Sequence, residues 1–215
     1  MRIGVFDSGI GGRSVANAVE AALPDADVLF RHDTADHFPY ATKSPEEILG
    51  YVLPIFHELV DEGCEAIVIA CNTVSTTLVG RLREVFSTPL IALEPMVKPA
   101  AELSVSRVAA ICATPTTLAS ARYAWLKDTY GNGCTFIEPD CSDWSYLIEH
   151  NRMNEERIRE GIEPALAAGA DVIVLGCTHY HWIEEEVLQI AAGRARVLQP
   201  ETAVVAQLKR VLQLS

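Results

Sequence analysis

The chain has 215 residues, 49% of them hydrophobic and 21% charged, which is too apolar for a disordered chain and long enough for one large or two small cores. A formal net charge of −12 leaves no basic stripe for DNA, RNA or an anionic membrane, although a local pocket can oppose that field and hold an anionic ligand. The opening Met1-Arg-Ile-Gly-Val-Phe-Asp7 has too short an apolar run for an export leader, and no stretch approaches the roughly 20 apolar residues of a membrane span, so a cytoplasmic protein is expected.

In chain order, strands are predicted at residues 3–6, 28–31, 66–69, 90–92, 108–112, 135–137, 172–175 and 197–198. Helices are predicted between them at 14–22, 45–62, 74–86, 116–129, 154–168, 180–191 and 201–212, with Ser44 capping and Pro45 opening the second. Short, fully apolar strands alternating with amphipathic helices predict an α/β fold with mostly parallel sheet covered on both faces.

The pattern also repeats. Ala66-Ile-Val-Ile-Ala-Cys71-Asn-Thr73 resembles Asp171-Val-Ile-Val-Leu-Gly-Cys177-Thr178, the cysteines lying 106 positions apart. The same step from Asp7-Ser8 lands on Ala113-Thr114, again just after an apolar strand. Two similar lobes are therefore expected, residues 1–95 with 196–215 and residues 96–195, each a mostly parallel sheet flanked by helices, with strand ends converging on an active site in the cleft between them.

Asp7-Ser-Gly-Ile-Gly-Gly12 follows the first strand and precedes a helix. It lacks the third glycine of a dinucleotide loop and the Gly-Lys-Ser of a phosphate loop. It reads either as a glycine turn presenting Asp7 and Ser8 to a ligand or as a plain turn capped by one of them. Cys71-Asn-Thr and Cys177-Thr-His carry more chemistry. A thiol ending a buried strand near the positive end of the next helix favours the thiolate, and Asn72, Thr73 and Thr178 add short polar groups suited to carboxylate and amino functions. Two near-equivalent thiols suit inversion of a stereocentre, where one base removes a proton from one face and an acid delivers one to the other. Asp7 and His179 are the nearest candidate helpers.

Two rival readings of the same residues stand beside this one. Cys177, His179 and His181 with Cys71 offer metal donors, but no Cys-x-x-Cys pair supports zinc, and no metal is expected. A Cys177–His179 nucleophile would leave Cys71 without a role. Cys64, Cys112, Cys134 and Cys141 read as structural, reduced thiols, and His32, His37, His57, His150 and His181 as surface or partly buried.

Taken together, Ile3-Gly-Val-Phe-Asp-Ser-Gly-Ile-Gly-Gly12, Ala70-Cys-Asn-Thr73 and Leu175-Gly-Cys-Thr-His-Tyr180 resemble the three signatures of glutamate racemase, within the aspartate/glutamate racemase superfamily, in order and spacing over nearly the whole chain. The resemblance implies Cys71 and Cys177 as the two proton donor/acceptors, with Asp7, Ser8, Asn72, Thr73, Thr178 and His179 around the substrate. Asp33-Thr34 followed by Pro39-Tyr40 resembles a family segment that places Tyr40 and Ala41 at the substrate, and Ala113-Thr-Pro-Thr-Thr117 resembles a turn that adds Thr114 and Thr117. Cys141 with Leu147-Ile-Glu149 resembles a further segment that makes Glu149 a partner for His179. It also implies no pyridoxal phosphate or other cofactor, a homodimer, a small-molecule substrate, and D-glutamate supplied for peptidoglycan. Four departures stand out: Ala41 and Ala113 replace glycines, one extra residue lies between Asp33 and Pro39, and the stretch after Glu149 reads as several tens of residues short. The alternatives are a superfamily racemase for aspartate or a related amino acid, and a non-catalytic regulatory protein of the same fold.

Overall fold

The computed structural model describes residues 1–34 and 36–214, and in it eight short strands build two four-stranded parallel sheets. Strands β1 (Arg2–Asp7), β2 (Asp27–His32), β3 (Ala66–Ile69) and β4 (Leu90–Ala92) pair in the order β2-β1-β3-β4. Strands β5 (Val108–Cys112), β6 (Thr135–Ile137), β7 (Val172–Leu175) and β8 (Arg196–Leu198) pair in the order β6-β5-β7-β8, the same arrangement repeated. The chain divides into two compact units, Met1–Glu94 with Pro200–Ser215, and Pro95–Gln199. Ser215, assigned above to the first lobe, lies outside the described residues, as does Ala35.

β3 and β7 are buried along their whole length, which is why they read as unbroken apolar runs rather than alternating ones. Successive side chains still go to opposite faces. In the first unit Phe6, Ile67 and Ile69 pack on Ile48, Val52, Phe56 and Leu59 of α2 (Pro45–Asp61). Ile3, Val5, Ala66 and Val68 pack on Val15 and Val19 of α1 (Arg13–Ala22) and on Val204 and Leu208 of α11 (Glu201–Val211), so the last helix belongs to the first unit. In the second unit Ala110, Cys112, Ile173 and Leu175 face α9 (Glu155–Ala167) and α10 (Glu184–Ala191), while Ala109, Ile111, Val172 and Val174 face α5 (Val97–Leu103) and α7 (Ala121–Tyr130). α2 starts where predicted: Ser44 and Glu47 form a capping box and Pro45 opens the helix. No helix among the described residues is long and apolar enough to cross a membrane.

Several helices differ from expectation. The single helix predicted at 74–86 is two, α3 (Asn72–Thr77) and α4 (Val79–Val85), broken at Leu78. Thr76 and Thr77 turn their hydroxyls back onto the carbonyls of Asn72 and Thr73, at 2.9 and 2.6 Å, a habit that bends and ends helices. The helix predicted at 116–129 splits into α6 (Pro115–Leu118) and α7, because Ser120 caps a new start by accepting the Tyr123 N–H. α5 was not predicted; Pro99 sits in its first turn, where a missing N–H costs nothing. A short α8 (Trp144–Glu149) was not predicted.

Candidate active site

In the first unit the site grows from the ends of β1 and β3. Asp7 closes β1, is wholly buried, and accepts the Gly12 N–H on Oδ2 at 2.7 Å. Asp7 thus fastens the glycine turn, as the plain-turn reading expects. Position 12 must be glycine, since a Cβ there would run into the Asp7 side chain. Cys71 follows β3 as the cap residue of α3, is 5% exposed, and directs Sγ to Ser8 Oγ at 3.3 Å. Asn72 is buried beside it, and neither its Oδ1 nor its Nδ2 has a hydrogen-bond partner among the described residues. A buried amide left unpartnered costs roughly 1–3 kcal/mol, and its two polar atoms have hydrogen bonds left to make. Thr73 is buried next to it.

Tyr40 opens the 3-10 turn Tyr40–Thr42, which also carries the half-buried Ala41. Its hydroxyl donates to Asp33 Oδ2 at 2.5 Å. Burial first, then the Asp33 bond and the nearby charges of Asp33, Cys71 and Asp7, push the phenol well above the ordinary tyrosine range. Tyr40, Cys71 and Phe6 share one apolar cluster.

The second unit repeats the plan with different side chains. Thr114 follows β5 where Ser8 follows β1; its Oγ1 accepts the Thr117 N–H at 3.3 Å and donates to Thr117 Oγ1 at 3.0 Å, and both residues are buried. Cys177 follows β7 and is 8% exposed, with Sγ 3.9 Å from Nδ1 of His179. Nε2 of His179 lies 2.5 Å from Oε2 of Glu149, the last residue of α8. Gly176 lets β7 press against β5, because a Cβ there would sit 3.0 Å from the Cys112 carbonyl. The Tyr180 hydroxyl donates to the Cys141 carbonyl at 2.8 Å, and its ring meets Trp144 edge-on at 5.2 Å, which anchors the segment that carries Thr178 and His179.

The structure thus brings Asp7, Ser8, Cys71, Asn72, Thr73 and Tyr40 to one end of the first sheet, and Thr114, Thr117, Glu149, Cys177, Thr178 and His179 to the same end of the second. Two expectations need correction. The helix after Cys177 begins at Glu184 rather than near Tyr180, with a 3-10 stretch Thr178–Ile183 between, so the helix dipole lies farther from that thiol than from Cys71. His181, expected at the surface or partly buried, is buried at 8% exposure. Asp33, whose carboxylate holds Tyr40, was quoted only as part of a segment; an acidic residue just past a strand end was the available signal. All six cysteines are free thiols, and burial beside Cys112 holds the Cys141 thiol well above its usual range. Among the described residues no group of three or more His, Cys, Asp and Glu is arranged to hold a metal ion.

The family described as Asp/Glu/Hydantoin racemase matches residues 12–208. The glutamate racemase of Ralstonia pickettii is 41% identical over 214 residues, taking in 98% of this chain and 76% of that protein. An alignment of that length over that share of the chain leaves room for only a few internal gaps. The shortening expected after Glu149 is therefore not there, and the relative's unmatched quarter lies outside the aligned stretch. Among solved structures, Escherichia coli glutamate racemase in complex with L-glutamate and the activator UDP-MurNAc-Ala superposes with a TM-score of 0.91 at 29% identity, covering 99% of this chain and 82% of that one. The Francisella tularensis glutamate racemase in complex with D-glutamate gives 0.83 at 27% identity, covering 99% and 81%. The chain belongs to the Asp/Glu/Hydantoin racemase family and, by that membership, is an isomerase.

Proposed function

We propose that the chain interconverts L- and D-glutamate without a cofactor, using Cys71 and Cys177 as two opposed bases on one α-carbon. One sulfur, as thiolate, takes the α-proton; the other, as thiol, delivers a proton to the opposite face; the two sulfurs end with exchanged protonation and reset by exchange with solvent. The observation that carries this reading is the repetition itself: each unit ends the third strand of the same strand order in a buried cysteine followed by polar residues.

The two halves supply what the chemistry needs beyond the thiols. A carbanion beside a carboxylate is stabilised by donors placed on the developing charge, and Asn72, Thr73 and Thr178 are short, buried and adjacent to the sulfurs. Ser8 contacts the Cys71 sulfur, and His179 backed by Glu149 addresses the other. Thr114, Thr117 and Tyr40 with Ala41 extend the binding surface in their own units. The 41% identical glutamate racemase supports glutamate over aspartate as the substrate. D-glutamate production in the cytoplasm for peptidoglycan, by a homodimer, completes the proposal.

Purified protein incubated in deuterium oxide with L-glutamate, D-glutamate or L-aspartate, without added cofactor, tests it. Loss of optical activity with deuterium entering at the α-carbon is expected for both glutamate enantiomers. Retention of the α-proton in both sinks the reading, and exchange with aspartate alone moves the substrate to the shorter acid.

A further inference from the structure

Three groups in the first unit converge on the Asp33 carboxylate, which is 5% exposed. Oδ2 accepts the Tyr40 hydroxyl at 2.5 Å, Oδ1 accepts the Thr34 backbone N–H at 2.7 Å, and Nδ1 of His37 lies 2.9 Å from Oδ1 and 3.0 Å from Oδ2. An ionised carboxylate only accepts, so His37 presents a proton to it and the phenol proton of Tyr40 is committed to it. The His37 ring in turn stacks on Tyr51 of α2, with centroids 3.8 Å apart and planes 8° from parallel. A continuous path of contacts therefore runs from α2 through Tyr51, His37 and Asp33 to Tyr40, which shares its apolar cluster with Cys71. No motif assigns His37 a role.

We propose that His37 and Asp33 are positioning residues for the reaction, fixing the Tyr40 hydroxyl so that its oxygen faces the substrate only as an acceptor and meets an N–H or S–H donor rather than a carboxylate. The inference rests on the racemase reading of this site and adds to it a device that sets substrate affinity. The contrary picture is a loop staple, in which His37 and Thr34 satisfy a buried carboxylate and Tyr40 is a bystander.

A double-mutant cycle separates the two, with wild-type turnover serving as the independent test of the racemase reading. His37→Phe keeps the stack on Tyr51 and removes the donor; His37→Asn restores a donor near the place of Nδ1; Tyr40→Phe removes the hydroxyl alone. KM and kcat for both glutamate enantiomers are measured on each and on the His37→Phe/Tyr40→Phe double variant, alongside thermal melts. For His37→Phe we expect KM to rise about tenfold with kcat within about threefold, the scale of one lost charge-assisted hydrogen bond. His37→Asn recovers most of the loss, and the double variant is no worse than Tyr40→Phe alone. Wild-type KM in His37→Phe, or effects of the two single changes that multiply in the double variant, overturns the proposal.

Discussion

Glu149 and His179 stand 2.5 Å apart, Oε2 to Nε2, and the other ring nitrogen of His179 points to the Cys177 sulfur at 3.9 Å. Because a carboxylate only accepts, the Nε2 proton is directed to Glu149, and whenever the ring is neutral Nδ1 is the nitrogen left to accept from the thiol. Glu149 thus selects the tautomer that can relieve Cys177 of its proton. Glu149→Gln presents an amide that also donates, which allows the opposite tautomer. We expect kcat to fall about a hundredfold with the fold intact, on the scale of lost acid–base assistance. A variant within twofold of wild type would show that the pair only holds α8 in place.

The two cysteines are expected to fail alike. Cys71→Ala and Cys177→Ala should each lower racemisation at least about a thousandfold, since either loss leaves the carbanion without a proton source or a base on one face. Each removes one buried sulfur, at a cost on the order of 1 kcal/mol, so circular dichroism and melting should stay close to wild type. Full rate in either variant contradicts the two-base mechanism.

Two glycines give opposite forecasts. At Gly12 an added Cβ collides with Asp7 and lies 3.2 Å from the Ala70 Cβ, with Asp7 Cγ at 3.0 Å. Gly12→Ala should therefore cost about 1–3 kcal/mol of stability through overpacking and cut activity by displacing Asp7. Gly50 lies within α2 with nothing in reach of a Cβ, so Gly50→Ala should add about 0.5–1 kcal/mol and leave turnover unchanged. Denaturant melts of the pair check both signs.

How much of this was legible in the sequence depended on how local each signal was. β3 and β7 were read to the residue, because Ala66–Ile69 and Val172–Leu175 are continuous apolar runs that open directly after the acidic Glu65 and Asp171. The cysteines were found through the repeat, which marks equivalent strand ends without any knowledge of packing. α8 escaped, since Trp144–Glu149 is less than two helical turns long, too short to show a periodicity. The Glu149–His179 contact spans 30 positions, a pairing no periodicity reports, and it was reached only through family resemblance. His37 was passed over for a similar reason: its contacts with Asp33 and Tyr51, and the bond from Tyr40 to the same Asp33 carboxylate, come together by the folding of a loop against α2. His181, read as surface or partly buried because no motif supported it, is more deeply buried than that, since burial depends on packing that no local pattern reports.

The acid limit of stability should be set in part by Asp171, just ahead of β7. It accepts the Ser104 hydroxyl at 2.6 Å and the N–H groups of Val105 and Ser106 at 2.7 Å each, tying the end of α5 to the start of the second sheet's central strand. Burial pushes its carboxyl up, but the bonds from Ser104, Ser106 and Val105 together outweigh it, and the net shift is downward. A depressed folded-state value means stabilisation that is fully present above the unfolded carboxyl range, near pH ~3.9, and is lost as pH falls through the folded value. Asp171→Ala should accordingly lower stability by about 2 kcal/mol at neutral pH, the worth of a few partly exposed charge-assisted bonds. Wild type and variant should then converge as pH drops below ~3.9, where the wild-type carboxyl is itself becoming neutral. A gap in melting temperature that stays constant from pH 7 to 3 would mean the loop is held by its backbone geometry, with the charge of Asp171 contributing nothing.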